Sequence, residues 1–314
     1  MWWLWGALGI SSFGAGQVEL KQAGDDHVSI EIDGQPFSTL YTARSEMKPF
    51  LAPLRTASGI VVTRQWPMET IPGESRDHPH HRGLFIGYGD VSGINFWEND
   101  PASKPSAENP QTKGKLLVQK IQISQPGTIV ASIDWNAPGQ GTVIEEQRTL
   151  TFYAKPAGVR MFDVDTTLTA KQDARFGDTK EGFFAIRVAD SMAGKNGGVM
   201  RNSNGAEGEK SVWGQRADWV DYSGTVAGQK VGILIFDNPG NYNHPTRWHS
   251  RDYGLFAANP FGVKEFDPKS GDAGGYDLKT GEHLRFRYRV IIHTGDMPAE
   301  KIAAWYSEYA KNGH

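Results

Sequence analysis

Residues 116–169 carry four successive runs, 116–123, 128–135, 142–153 and 159–169, in which apolar and polar residues alternate. Neighbouring side chains of a strand point to opposite faces, so each run offers one face to a core and one to water. Only short polar breaks separate the runs, which makes them an antiparallel meander. In the last run Met161, Val164 and Leu168 mix with Asp163, Asp165 and Thr167. The signature recurs at 28–32, where Asp33-Gly34 turns the chain into 37–41 as a hairpin, and again at 231–236 and 284–293. So many strands in series fold into two packed sheets. The expectation is an all-β chain of about 15 strands in a large two-sheet antiparallel supersandwich, read from alternation and turn signals. Thirty-seven glycines and 17 prolines supply the turns, and 10 Trp, 10 Tyr and 15 Phe supply a large core. One helix is expected at 299–310, opened by Pro298, with Ile302, Trp305 and Tyr309 on one face.

The domain is expected to run over residues 17–314 as a single unit. Residues 1–16, MWWLWGALGISSFGAG, are apolar and end in small residues, as a secretory signal does, and point to a periplasmic or secreted protein. The run is too short to span a bilayer, which takes roughly 20 apolar residues, and no later segment is apolar enough. Several function classes drop out. A formal charge of -3 leaves no footprint for nucleic acid. Zero cysteine removes disulfides, thiolate metal sites and cysteine nucleophiles. No P-loop, Rossmann glycine fingerprint or GxSxG elbow is present, so neither a nucleotide cofactor nor a serine triad is expected.

Chemistry concentrates in two stretches. The first, 76–98, reads RDHPHHRGLFIGYGDVSGINFWE. His78, His80 and His81 lie between Asp77 and Arg82, with an apolar strand behind them and Trp97-Glu98 beyond. Polar groups on a loop with a rigid strand behind are a common way to build a site. On an extended segment His78 and His80 would point one way and His81 the other. The second stretch, 244–253, reads HPTRWHSRDY and is again followed by an apolar strand ending at Asn259. The site is expected where the two loops meet.

Three chemistries fit these residues. Imidazole titrates near neutrality and can carry a proton, so His80, His81 and His249 are candidates for catalysis, with Glu98 or Glu181 as the acidic partner. Arg82, Arg187 and Arg251 would bind substrate oxygens, Asn259 would add an amide, and Trp213 and Trp248 would stack on a sugar face. Alternatively, neutral imidazoles from His78, His80 and His249 would hold Zn, Mn, Fe or Cu. In the third reading, aromatic and charged groups only hold a glycan. His27, His283 and His293 sit in strand or turn patterns and are read as structural or solvated. Arg285, Arg287 and Arg289 alternate with Phe286, Tyr288 and Val290 and form a solvated face or, instead, line a cleft for an acidic sugar.

The patterns DHPHHRG, IGYGDVSG, GDTKEG, DWVDYSG and HPTRWHSRDYGLFAANPFG resemble the bacterial family labelled PmoA, and the resemblance covers nearly all of the chain after the signal-like segment. It implies a role in sugar catabolism in exporting bacteria and a fold similar to the galactose-mutarotase-like supersandwich of aldose epimerases and polysaccharide lyases. The expectation is a secreted carbohydrate-active enzyme of lyase, hydrolase or epimerase type, with or without metal assistance, acting on a carbohydrate or glycoside. A non-catalytic glycan-binding or scaffold protein is the first alternative. A metal-dependent oxidase, as the family label implies, is the second.

Overall fold

The computed structural model describes residues 16–103 and 112–311. The signal-like segment, except Gly16, lies outside the described residues, as does most of the Pro-rich stretch after Asp100. The chain opens with β1 (Val18–Ala23), β2 (His27–Ile32), β3 (Gln35–Tyr41), β4 (Phe50–Ala52) and β5 (Leu84–Tyr88). Two short strands follow, β6 (Ile94–Asn95) and β7 (Thr112–Lys113). The expected meander is β8 (Lys115–Ser124), β9 (Thr128–Ala137), β10 (Gly141–Tyr153) and β11 (Arg160–Ala170). Then come β12 (Ala174–Phe176), β13 (Gly182–Arg187) and β14 (Val199–Asn202), and a one-turn helix α1 (Glu209–Val212). The chain continues with β15 (Trp219–Val226), β16 (Gln229–Asp237), β17 (Arg247–Ser250), β18 (Leu255–Asn259), β19 (Tyr276–Leu278), β20 (His283–Thr294) and α2 (Ala299–Lys311).

Two eight-stranded antiparallel sheets form the body. Sheet one runs β1-β2-β3-β4-β5-β13-β18-β17, and sheet two runs β14-β15-β16-β20-β11-β10-β9-β8. Their inner faces share one core, in which Phe37 meets Phe152 at 6.0 Å and Phe184 stacks on Tyr288 at 4.4 Å. The two-sheet, helix-capped all-β fold expected from alternation is the fold observed. The additional strands are mostly short pairings that carry too few residues to show a period. Residues 60–63, a short β-branched run, make only isolated bridges at Val61 and Thr63.

The outer faces differ. On β11 burial alternates strictly, with Phe162, Val164 and Leu168 inward and Asp163 and Asp165 outward. The outward aspartates pair across the ladder with Arg289 at 2.6 Å and Arg285, so the arginine row is an ion-paired outer face. Helix α2 covers part of that face, setting Ile302 and Tyr309 against Trp219, Leu234, Phe236 and Ile291. In sheet one, β4, β5, β13, β17 and β18 are buried on both faces. The loops around Arg64 to Arg82 and Trp97 to Asp100 lie over that second face. Among the described residues no helix is long and apolar enough to cross a membrane.

Candidate functional site

Four strands of sheet one put Phe85, Ala185, Ala257 and His249 in register across the outer face. At roughly 4.8 Å per strand, His249 lies about 14 Å from Phe85 along that row. Ala185 and Ala257 carry only methyl groups, which leaves room for a layer of larger side chains above them, and Phe50, Trp97 and Leu255 complete this small cluster. Nothing in a run such as LFAAN distinguishes the alanine that faces the core from the one that faces the site.

The histidine stretch is a turn. The His81 N–H donates to the His78 carbonyl at 3.0 Å, and His78 takes a left-handed φ of 46°. Gly83 also has a positive φ, and a Cβ there would meet the Leu51 carbonyl at 2.1 Å, so the exit into β5 requires glycine. The expectation of an extended segment with His81 pointing away is therefore corrected, because the turn gathers all three rings. His78 lies parallel to His81 at 4.8 Å and parallel to Tyr253 at 5.0 Å, while His80 meets His81 edge-on at 4.3 Å. His81 in turn stacks on Phe85 at 5.7 Å.

Beneath this layer Asp77 is clamped by two fully buried arginines. Arg64 Nη1 and Arg187 Nη2 each donate to Asp77 Oδ1 at 2.8 Å. Arg64 also donates to the carbonyls of His78 at 2.8 Å and His81 at 3.1 Å, which fixes the turn. The other Asp77 oxygen accepts from His78 Nδ1 at 2.7 Å. Partial burial works to raise the Asp77 pKa, but the His78 hydrogen bond and the Arg187 charge hold the carboxyl well below its usual range. Lys48, also buried, donates to the Trp97 carbonyl and to Asn99 and sits 4.8 Å over Phe85. Burial, then the Arg82 charge, lowers its pKa far below the ordinary lysine value.

These contacts assign the ring tautomers. A carboxylate only accepts, so His78 carries a proton on Nδ1 and leaves Nε2 as the nitrogen that faces away from Asp77. His249 Nδ1 faces the Lys180 carbonyl at 2.9 Å, which leaves a lone pair on its Nε2. His81 is reversed. Arg187 Nη1, which only donates, faces its Nδ1 at 3.4 Å, so the proton belongs on Nε2. Burial drives the pKa of His80 and His81 well below neutrality, and it takes His249 down to about 3. All three rings are therefore neutral. The buried ring nitrogens His80 Nε2, His81 Nε2, Trp97 Nε1, Trp213 Nε1 and His249 Nε2 have no hydrogen-bond partner among the described residues. Each such atom costs roughly 1–3 kcal/mol, and a cluster of them marks a place built for something other than packing.

The opposite wall is Trp213, Arg251, Lys180 and Glu181. Trp213 meets His249 at 6.4 Å, and Arg251 lies 5.8 Å from the Trp213 ring and 5.7 Å from Tyr253. Lys180 pairs with Glu265 at 2.7 Å and Arg251 with Glu209 at 2.9 Å. Burial raises the Glu181 pKa to about 7; Lys180 opposes this, and the charges of Glu98 and Glu265 add to it.

Of the expected site residues, His80, His81, Glu98, Glu181, Trp213, His249 and Arg251 thus fall on this one face with His78. Several roles change. Trp248 neighbours His249 but points the other way, into the inter-sheet core, with its Nε1 donating to the Ala217 carbonyl at 2.9 Å, so it cannot stack on a ligand. Arg187 is fully buried and bonded to Asp77, which makes it a support for the site and not a contact for substrate. Arg82 is taken up by Glu46 and Asp100. Asn259 spends its amide on Thr179, Phe261 and Gly262. His244, from the second stretch, is held elsewhere, by Asp237 at 2.8 Å and Asp218 at 3.4 Å. Among the described residues no three His, Asp or Glu side chains are grouped to hold an ion, so His78, His80 and His249 do not form the expected ligand set. Arg64, Lys48 and Tyr253 were not singled out from the sequence; a lone Arg or Lys in a loop carries no signal of burial.

No curated protein matches the chain. Among solved structures, a galactose mutarotase related enzyme from Lactobacillus acidophilus aligns with 89% of this chain and 98% of its own at 9% identity and a TM-score of 0.35. A polysaccharide lyase aligns with 91% of this chain at 12% identity and a TM-score of 0.32, and the chain spans 33% of that lyase's length. Residues 27–307 match the model of a family of unknown function, DUF6807. The chain belongs to that family.

Proposed function

We propose that this protein is a carbohydrate-active enzyme whose chemistry is proton transfer, with the Asp77-backed His78 and Glu181 as the proton-carrying pair. The observation that carries the reading is the meeting, on one face, of a carboxyl pushed up to about 7 and an imidazole oriented by a carboxylate. A group whose pKa lies near the working pH can both take and return a proton, and such positioned groups contribute about 10²–10⁴ in rate. His78 replaces His80 in this role, because burial keeps His80 neutral. Trp213 and Tyr253 offer rings to sugar C–H faces, with Arg251 between them. Lys180, Arg251 and Arg82 are each already paired with carboxylates, which suits a neutral sugar better than an acidic one. No step is routed through a metal ion.

The test is an NMR assay of the purified protein against neutral mono- and disaccharides, glycosides and their oxidised forms. Turnover of at least one sugar is expected. Saturable quenching of tryptophan fluorescence with no turnover of any sugar would leave a non-catalytic glycan-binding protein instead. Neither binding nor turnover across the panel would remove the carbohydrate reading.

A further inference from the structure

The histidines of this face do not present the same chemistry to the site. His78 and His249 each donate an Nδ1–H hydrogen bond to a protein acceptor, which leaves Nε2 as the nitrogen available to a ligand. His81 faces a guanidinium at Nδ1 and presents Nε2–H, a donor. That N–H is buried and has no hydrogen-bond partner among the described residues. The ring cannot become an imidazolium easily, because it is buried and because the neighbouring histidines and then Arg187 and Arg64 oppose a positive charge there. A neutral imidazole N–H is a poor proton donor to a leaving group. It is a good hydrogen-bond donor to an oxygen that turns anionic without being protonated.

Resting on the proton-transfer reading above, we infer that the substrate is a sugar bearing a carbonyl group, with His81 Nε2–H set to hold the carbonyl oxygen while His78 Nε2 removes the proton from the adjacent carbon. The geometry suits the pair: the His78 and His81 rings lie parallel at 4.8 Å, the one a base backed by Asp77, the other a donor backed by Arg187. The step balances without a co-reactant. The C–H proton passes to His78 Nε2, and the C–H electron pair becomes the carbon–carbon π bond of an enolate. The carbonyl π pair moves onto oxygen, where His81 Nε2–H stabilises it. Return of a proton to carbon, from His78 or from Glu181 across the site, regenerates the ketone or aldehyde. Return from the other face inverts the centre, and loss of a β-oxygen substituent from the enolate gives elimination instead. Glycoside hydrolysis, which develops no carbonyl oxyanion, has no use for this neutral donor beside a base.

Two measurements test this on the full chain. First, a keto-glycoside and its parent glycoside are incubated with the protein in D2O and followed by NMR. Deuterium is expected at the carbon next to the carbonyl of the keto sugar, with none entering the parent. His81→Phe should lower that exchange by about 10²–10³, the size of losing one oxyanion donor, and His81→Gln, which keeps an N–H, should recover part of it. Turnover of plain sugars with no exchange into the keto sugar would overturn the inference while leaving the proton-transfer reading intact. No reaction of either would overturn both. Second, and independent of whether the His81 variants fold, ¹⁵N NMR of the wild-type histidines reads the tautomers directly. His81 should carry its proton on Nε2 and His249 on Nδ1, and a His81 protonated on Nδ1 or on both nitrogens at pH 7 would overturn the proposal.

Discussion

The outer faces of the two sheets use the same residue types to different ends. On sheet two, arginines and aspartates face one another across the ladder, Arg285 on Asp165 open to water and Arg289 on Asp163 partly covered, with helix α2 sealing the apolar part. On sheet one, a single aspartate serves two arginines that water does not reach, and a layer of imidazole and indole nitrogens lies above with no hydrogen-bond partner among the described residues. Exposed pairs add little to stability, and removing either member changes little. A buried clamp is a different object: it is neutral in its effect on stability while intact and costly once broken. Clustered polar atoms that are buried and unpartnered among the described residues carry a cost that packing does not require, and that clustering marks the candidate face on sheet one.

The sharpest way to break the comparison is to make one substitution on both faces. Asp77→Ala takes from the buried Arg64 and Arg187 their direct carboxylate partner and from His78 its orienting acceptor, and, because Asp77 itself is 39% exposed, should cost about 1–3 kcal/mol in urea unfolding and eliminate turnover. Asp165→Ala should cost less than about 1 kcal/mol. Equal losses at the two positions would mean that the distinction between the faces is not real.

Glu181→Gln separates chemistry from stability on the functional face. Turnover should fall by about 10²–10⁴ with the thermal midpoint nearly unchanged. The wild-type protein should lose the activity of the protonated carboxyl as pH rises through about 7. Because the folded-state pKa is raised, the fold binds the proton more tightly than the unfolded chain does. Stability from this group therefore falls as pH rises from the ordinary glutamate range toward 7, and the Gln variant should lack that slope. A variant with full activity would remove Glu181 from the mechanism.

His244 gives the smaller, structural counterpart. Burial works to lower its pKa, but hydrogen bonds and charge from Asp218 and Asp237 win and raise it to about 9. A raised histidine pKa stabilises the fold fully below about 6.5, and that contribution, on the order of 2 kcal/mol, is lost as pH rises through about 9. Melting curves between pH 6 and 10 should show the decline, and His244→Gln should flatten it with no effect on turnover at pH 7. A loss of turnover there would place His244 in the site after all.

Much of the fold could be read from single-strand periodicity. The meander β8 to β11 and helix α2 bury one face each, and a face that must be dry leaves a period in the residues. The site was readable only in part. His78, His80 and His81 advertise themselves by clustering, and His249 by sitting before an apolar strand. Arg64 and Lys48 do not, because what makes them unusual is burial, and their burial comes from residues far along the chain. Trp248 and His249 show the limit most clearly: on adjacent positions of one buried strand, either could have faced the core, and the strand carries no polar alternation to choose between them.

The order of strands in sheet one has a consequence for how the molecule assembles. β5 pairs with β13, yet the whole meander of sheet two lies between them in sequence. Each meander strand meets its neighbour across a short turn, so little chain entropy is spent per contact formed. Phe85 and Ala185 meet only when a loop holding four long strands has closed, and His249 joins the row only after β18 has docked on β13. The candidate face is therefore made of long-range contacts, whereas the meander of sheet two is local until β20 joins it to β16.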